Sequence, residues 1–310
     1  MSINEITTEA GKELFHSIEE AAVNPQKAIR LDLHSKNLAG IPAEIFEFSN
    51  LEELILTNNR IEEIPPQISK LTKLRKLELS GNNISVLPKE IVQLTNLKSL
   101  VMSWNELTVI PDFIGELGKL EILGLNHNEI SRISPQIGKL KNLQFLIISD
   151  NELEEIPDEI CDLENLEKLR ISTNLLSALP ENIGKLKNLK KLEAHENNIE
   201  TLPESIGQLV KLEKLRLYKN MLETLPESNG NLVHLEKLLV YENDLISVPE
   251  SIGNLVELEE MDLSNNELSE IPDSIENLTE LDSLDLTKNK FTPDEIDEIG
   301  KLIPNARVIF

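Results

Sequence analysis

Apolar residues recur along this chain in a pattern with a period of 23 residues. The stretch from Leu166 to Asn188 shows one period, in which Leu169 and Ile171 alternate with polar residues and Asn174 follows. Such alternation is typical of a short β-strand with one buried face. The apolar residues after Asn174 are spaced more widely, and they predict an irregular or short helical return to the same core.

Two residue types keep this period along the chain. Asparagine occupies eleven equivalent positions from Asn59 to Asn289, and proline occupies ten from Pro42 to Pro272, with Ser134-Pro135 as the one departure. Self-similarity at a fixed period predicts a solenoid in which each turn packs on the next. An asparagine side chain carries donors and an acceptor, so we expect it to hydrogen-bond the backbone of adjacent turns.

The motif L-x-x-L-x-L-x-x-N, followed by L-P-x-x-I-x-x-L, resembles the leucine-rich repeat in its 23-residue typical class. The resemblance covers residues 28–310 and is strongest to bacterial leucine-rich repeat proteins. It implies an α/β fold, a right-handed superhelical solenoid with a curved parallel β-sheet on the concave face and irregular or short helical segments on the convex side. Some relatives associate with Ras-type GTPases, so a small GTPase partner is implied by family analogy only.

The unbroken period indicates one elongated domain with protected ends. We expect an N-terminal helical cap over residues 1–27, about twelve turns over 28–291, and a C-terminal cap over 292–310. The caps are expected because a terminal turn would otherwise expose its apolar core to water.

Each cap is predicted to contain one helix. An amphipathic helix is predicted over residues 8–22, with Thr8 as its cap and Leu14 and Phe15 on its apolar face. A second helix is predicted to begin at Thr292-Pro293, since proline suits the first helical position.

Charge and composition narrow the classes of partner. The formal net charge is −25, which argues against nucleic acid and anionic membranes as direct partners. No basic start followed by an apolar run and no stretch of membrane-spanning length is found, so we expect a cytoplasmic protein, with export as an effector left open. We also expect the protein to be a monomer. Cys161 is the only cysteine, which excludes an intrachain disulfide.

The sequence offers little catalytic chemistry. It contains no phosphate-binding loop and no zinc motif, so we expect no catalytic residue, no metal and no cofactor. His127 and His195 are predicted about 14 Å apart by strand spacing, too far to share one ion. Cys161 falls in a column otherwise rich in glycine, where a packed, unreactive thiol is expected.

Five side chains per turn are expected to point out from the sheet, and stacking alone does not fix their identity. In the fourth to sixth turns three of these fifteen positions are charged, whereas eleven of fifteen are charged in the seventh to ninth turns. Because stacking does not require this contrast, we expect the partner to bind this face.

The low-charge turns predict a first contact surface, the Trp104 patch. Tryptophan is enriched in binding hot spots, and an exposed apolar patch with a polar rim is typical of an interface. The alternative is that Ile122 and Phe145 are tucked under a neighbouring loop. The patch consists of Val101, Trp104, Ile122, His127, Phe145 and Ile147.

The charged turns predict a second surface, the tyrosine patch, which contains the only two tyrosines of the chain as neighbours. Tyrosine and arginine are frequent interface anchors. The alternative is that Arg170, Glu193 and Arg216 form a cross-strand charge lattice that only relieves repulsion. The patch consists of Arg170, His195, Arg216, Tyr218, Leu239 and Tyr241, and a broad partner could contact both patches.

Two local departures from the repeat stand out. Asn229 occupies a core position that holds Ile206 and Ile252 in the adjacent turns. Either this turn opens locally, or the amide caps nearby backbone. Ser134-Pro135 shifts the proline by one residue, and the sequence alone gives no account of that shift.

We therefore predict a non-enzymatic protein-interaction module that binds another protein on its concave sheet face. The alternative is a secreted bacterial effector or surface-acting protein that engages a host receptor or glycan. An enzyme is the third class, and it would have to use an activity without a recognisable motif.

Overall fold

The structure, a computed structural model, describes residues 13–310. They divide into two compact units, one ending at Phe145 and the other comprising Leu146–Phe310. Both units are built from the same turn: among the described residues, twelve strands begin 23 residues apart from Arg30 to Ser283. The repeat solenoid predicted from the sequence is confirmed, while the boundaries of the caps and the single elongated domain stay predictions.

The first unit contains a parallel sheet in which each strand pairs with the strand one period away. The strands of the first unit are β1 (Leu14–Phe15), β2 (Arg30–Asp32), β3 (Glu53–Ile55), β4 (Lys76–Glu78), β5 (Ser99–Val101), β6 (Val109–Ile110), β7 (Ile122–Gly124) and β8 (Arg132–Ile133). Strands β6 and β8 pair with each other in a separate small sheet. Strand β9 (Phe145–Ile147) begins at the division between the units.

The second unit repeats this arrangement with consecutive parallel strands. They are β10 (Lys168–Arg170), β11 (Lys191–Glu193), β12 (Lys214–Arg216), β13 (Lys237–Leu239), β14 (Glu260–Asp262), β15 (Ser283–Asp285) and β16 (Arg307–Ile309). The middle residue of β10 to β15 is buried in the core, as the alternating pattern predicts. The residues on either side of it therefore face away from the core.

In most turns the chain returns from the strand through a short 3₁₀ helix that starts directly after the periodic proline. The first proline-capped turn closes with the Ile45 N–H donating to the Pro42 carbonyl at 3.1 Å. Proline fits this position because it accepts this bond and needs no N–H of its own. The 3₁₀ helices are Pro25–Lys27, Ala43–Glu47, Pro66–Lys70, Lys89–Gln93, Asp112–Glu116, Pro135–Lys139, Asp158–Asp162, Ile183–Lys185, Glu204–Gln208, Glu227–Asn231, Glu250–Asn254 and Asp273–Asn277.

The periodic asparagines bridge neighbouring turns, as predicted. The Asn82 amide oxygen accepts from the Ile61 N–H at 2.9 Å, and its nitrogen donates to the Leu56 carbonyl at 3.1 Å. Asn197 repeats this geometry in the second unit, accepting from Leu176 and donating to Ile171. Both asparagines are buried, so each satisfies backbone groups that water cannot reach.

The displaced proline at Ser134-Pro135 has a structural explanation. Because Ser134 stands where other turns have proline, its N–H is free to donate to the Ile110 carbonyl at 3.0 Å. This bond extends the small sheet of β6 and β8. The Ser134 hydroxyl also accepts from the Gln136 N–H and donates to Asp112 Oδ1 at 2.6 Å.

The N-terminal helix is shorter than predicted. Leu14 and Phe15, assigned by the sequence to its apolar face, form β1 and pair with β2. The helix α1 covers Ile18–Val23 and is capped by Ser17, whose hydroxyl accepts from the Glu20 N–H. The correction has a physical reason: β1 completes the backbone hydrogen bonds of the edge strand β2, which a helix cannot do. Thr8 lies outside the described residues.

The C-terminal helix begins where predicted. Helix α2 covers Pro293–Leu302, with Thr292 and Glu295 forming a reciprocal capping box. Its residue Ile299 is buried. After it, β16 pairs with β15, and the Phe310 ring packs edge-on against Phe291 with centroids 6.3 Å apart.

Candidate partner-binding surface

Exposed Trp104 and half-buried His127 form a stacked ring pair on the first unit. Their ring centroids lie 3.6 Å apart and the planes meet at 19°, while Trp104 is 61% exposed. Both residues have left-handed backbone, with φ of 58° and 54°. This conformation is uncommon for bulky residues. It recurs at the position before the asparagine, where the chain turns out of the strand, so the repeat itself imposes it.

The remainder of the Trp104 patch is mostly not exposed, which corrects the sequence prediction. Val101, Ile122 and Ile147 are 7%, 2% and 4% exposed, and Phe145 is half-buried. Side chains on adjacent strands shield one another: a Cβ added at Gly124 would lie 3.2 Å from Val101 Cγ1, so Val101 fills the space beside that glycine. The apolar surface offered here is therefore mainly the ring of Trp104.

The second unit carries a continuous column of three rings. His195 stacks on Tyr218 with centroids 4.1 Å apart, and Tyr218 stacks on Tyr241 at 4.4 Å, with interplanar angles of 11° and 6°. The parallel register produces this column, since residues one period apart on adjacent strands lie side by side. All three rings are half-buried, so each still offers an edge to a partner.

The ring column is uncharged near neutral pH. Burial lowers the pKa of His195 below its ordinary value, which favours the neutral imidazole. Burial also raises the pKa of Tyr218, and it raises the pKa of Tyr241 to about 12. The His195 Nδ1 atom is buried without a hydrogen-bond partner among the described residues.

A charge cluster flanks the rings on the same strands. Glu193 is 7% exposed and lies between two arginines, with Arg170 Nε at 2.7 Å and Arg216 Nη1 at 3.6 Å from its carboxylate oxygens. The cross-strand lattice considered from the sequence is therefore present. Both contacts are ion pairs, and the N–H group at Nε of neither arginine makes a hydrogen bond among the described residues.

The tyrosine patch is brought together by the fold. Leu239, its remaining member, pairs in register with Arg216 and with Asp262 and is half-buried. Five of the six residues thus carry a ring or a cation, and their neighbour Leu239 supplies an apolar surface. The sequence predicted this adjacency correctly, because it follows from the period alone.

Sequence reasoning missed a row of lysines on the same face. One lysine opens each of four consecutive strands, and the strands pair these residues in register. The sequence contains the signal for this row, because the four lysines share the 23-residue period. The row consists of Lys168, Lys191, Lys214 and Lys237.

Cys161 is buried, and burial, with a smaller contribution from the Asp158 charge, raises its pKa to about 11, so its thiol is protonated and unreactive at neutral pH. Within residues 13–310, no three metal-binding side chains converge on one point. In the same range, no helix has the length and apolar character needed to span a bilayer.

The fold and this surface define a class of repeat proteins that present an open sheet face. Comparison with known families identifies the class. The leucine-rich repeat model matches five stretches of the chain, some of which overlap, and a second model, the leucine-rich repeat region, matches residues 169–245. The five stretches are 29–84, 49–107, 72–130, 118–176 and 233–291. The chain belongs to the leucine-rich repeat family, whose fold is commonly a protein-interaction module.

Similar solved structures come from bacteria and plants. A leucine-rich repeat protein of Leptospira interrogans shares 29% identity over 97% of this chain and 100% of its own, with a TM-score of 0.56. An internalin of Listeria monocytogenes shares 24% identity over 95% and 82% of the two chains, with a TM-score of 0.81, and indicates the fold alone. No curated protein matches the sequence.

A plant receptor is also similar. The Arabidopsis receptor kinase HAESA, solved in complex with the peptide hormone IDA and the co-receptor SERK1, shares 29% identity with a TM-score of 0.74. The match covers 90% of this chain and 48% of the receptor chain.

Proposed function

We propose that this protein is a binding module without catalytic activity of its own, and that it holds another protein on the exposed sheet face of the second unit. The observation that carries the proposal is the ring column of His195, Tyr218 and Tyr241 beside Arg170 and Arg216. Tyrosine and arginine are enriched among residues that dominate binding energy. Stacked rings also offer a rigid contact area that loses little conformational entropy on binding.

The relatives support a protein or peptide partner. HAESA is described in complex with a peptide hormone, and the plant receptor RGFR1 is described in complex with RGF2 at 26% identity and a TM-score of 0.72. Both matches cover about half of the receptor chain, so they suggest a mode of use for the fold and name no partner for this chain. A small GTPase is one partner class worth including in the test.

Affinity capture with mass spectrometry tests the proposal. The immobilised full chain is exposed to a lysate of its source cells, beside a Tyr218→Ala variant and a control, Val233→Ala, at a residue 41% exposed outside the strands. We expect Tyr218→Ala to reduce recovery of the partner and Val233→Ala to leave it unchanged. Equal recovery by all three proteins would refute the proposed face. A parallel Trp104→Ala variant shows whether the first unit contributes.

A second candidate is an exported bacterial effector or surface protein that engages a host receptor or glycan. The similarity to a Leptospira interrogans leucine-rich repeat protein over its whole length supports a bacterial source, which this candidate requires. Fractionation of the source cells separates the two proposals, because a cytoplasmic interaction module stays with the cytosol and an effector is recovered outside it. Sedimentation of the purified chain tests the proposed monomer.

A further inference from the structure

The four lysines of the second unit form a row of like charge across adjacent strands. Lys168 pairs in register with Lys191, Lys191 with Lys214, and Lys214 with Lys237. Adjacent strands lie about 4.8 Å apart, so the row extends over about 14 Å. Like charges directly opposite one another destabilise a sheet. The row therefore lowers the stability of the free protein, although the chain has 55 acidic residues and could place one between the lysines.

Stacking does not require such a row, as the first unit shows. There the same column reads Arg30, Glu53 and Lys76, so that charges alternate from strand to strand. Glu53 accepts from Arg30 Nε, and Lys76 Nζ lies 3.3 Å from it. The fold thus accommodates alternating charges at this position, and the second unit departs from that solution.

Carboxylates within the second unit compensate the row only in part. Glu193 alone serves three cations, since Lys168 Nζ lies 4.0 Å from it in addition to the two arginines. At the far end, Lys214 lies 3.8 Å from Glu236 and Lys237 pairs with Glu260. No carboxylate oxygen of residues 13–310 lies within 4.0 Å of Lys191, in the middle of the row. Desolvation and the nearby Arg170 charge lower the pKa of Lys168.

We propose that the lysine row, with Arg170 and Arg216, binds the carboxylates of an acidic segment of a partner protein. The adjacent ring column receives the apolar or aromatic side chains of the same segment. Charge complementarity carries the assignment: Glu193 is the one carboxylate in contact with Lys168, Arg170 and Arg216, and Lys191 beside them has no carboxylate within 4.0 Å among residues 13–310. An incoming carboxylate would meet the ammonium group of Lys191 and the partly exposed guanidinium group of Arg216, which supply the donors it needs.

This inference rests on the proposed function, and a peptide selection tests it. The full chain selects binders from a phage-displayed library of random dodecapeptides. The recovered sequences are made with a fluorescent label, and their affinity is measured by fluorescence anisotropy at rising NaCl. We expect the peptides to be rich in Asp and Glu with interspersed aromatic residues, and their affinity to fall as salt screens the contacts.

Charge variants locate the contact. Lys191→Glu should weaken the selected peptides by about tenfold or more, as expected when a partly desolvated charge contact becomes repulsive, and Lys191→Gln should have a smaller effect. The matched control is Lys211→Glu, which carries the same charge change outside the strands, where Lys211 bonds Asn188. Because Lys191→Glu removes a like-charge repulsion, its unfolding midpoint should not fall. That measurement excludes misfolding as the cause of weaker binding.

Three results would overturn the inference. Peptides without an excess of acidic residues, weakened by Tyr218→Ala but not by Lys191→Glu, would do so while leaving the proposed function intact. Binding of a labelled heparin oligosaccharide without any selected peptide would assign the row to a sulfated glycan. Recovery of no binder of either kind would leave the row without this role, and the affinity capture described above then decides the proposed function separately.

Discussion

Asn229 offers a direct test of how the core of the repeat is built. It is 1% exposed, and neither its amide nitrogen nor its amide oxygen has a hydrogen-bond partner among the described residues. The turn around it is not opened: the Asn229 N–H donates to Pro226 at 3.0 Å, as the Ile252 N–H donates to Pro249. Both explanations considered from the sequence, local opening and backbone capping, are therefore wrong.

We predict that Asn229→Ile stabilises the protein. A buried amide without partners costs about 1–3 kcal/mol, and burying an isoleucine side chain contributes about 1.5–3 kcal/mol. Isoleucine is larger than asparagine, and repacking takes back about 1–3 kcal/mol. Ile206 and Ile252 fill the equivalent space in the adjacent turns at 0% exposure, which places repacking at the low end. With repacking at about 1 kcal/mol, the expected net gain is about 1.5–5 kcal/mol.

Urea unfolding followed by circular dichroism measures this gain. The matched reverse variant, Ile252→Asn, places an amide in the next turn and should cost at least about 2 kcal/mol. A lower free energy of unfolding for Asn229→Ile would refute the reasoning, because it would mean that the amide makes hydrogen bonds that the native protein needs.

Three further predictions concern stability and reactivity. Asn174→Leu leaves the Leu153 N–H and two or more carbonyls without a hydrogen-bond partner, and it should lower the free energy of unfolding in urea by about 2–4 kcal/mol. A loss no larger than that of Leu175→Ala, at the 49% exposed neighbouring residue, would contradict this prediction. Ser134→Pro removes the bond to Ile110 and the cap of the following turn, and should cost about 1–2 kcal/mol; an unchanged midpoint would count against that role. Cys161 should react with a thiol reagent far more slowly than free cysteine at pH 8, because its pKa of about 11 leaves little thiolate; a rate equal to that of free cysteine would show that it is accessible.

The features that repeat could be predicted from the sequence because each turn imposes the same backbone requirements on the next. Asn82 and Asn197 bridge turns as expected, because in every turn the amide at that position hydrogen-bonds the same backbone groups, which would otherwise have no partner. The adjacency of Tyr218 and Tyr241 followed from the period in the same way. For these residues, a spacing in the sequence translates directly into a distance.

Exposure and end structure could not be predicted from the period. The alternation correctly places Val101 on the side of the strand away from the core. It does not predict that the Val101 side chain fills the space beside Gly124, which has no side chain of its own. Leu14 and Phe15 fit an amphipathic helix locally, yet the unpaired edge of β2 is a non-local partner that selects a strand. In both cases a neighbour outside the local pattern decides the outcome.

We propose the exposed sheet face of the second unit as the contact surface for a partner protein. The most direct measurement is site-specific photo-crosslinking with p-benzoylphenylalanine introduced in place of Tyr218 or, as the control, in place of Val233 outside the strands. We expect a crosslinked partner from position 218 and none from position 233. Crosslinking to the same partner from position 233 and not from position 218 would contradict it.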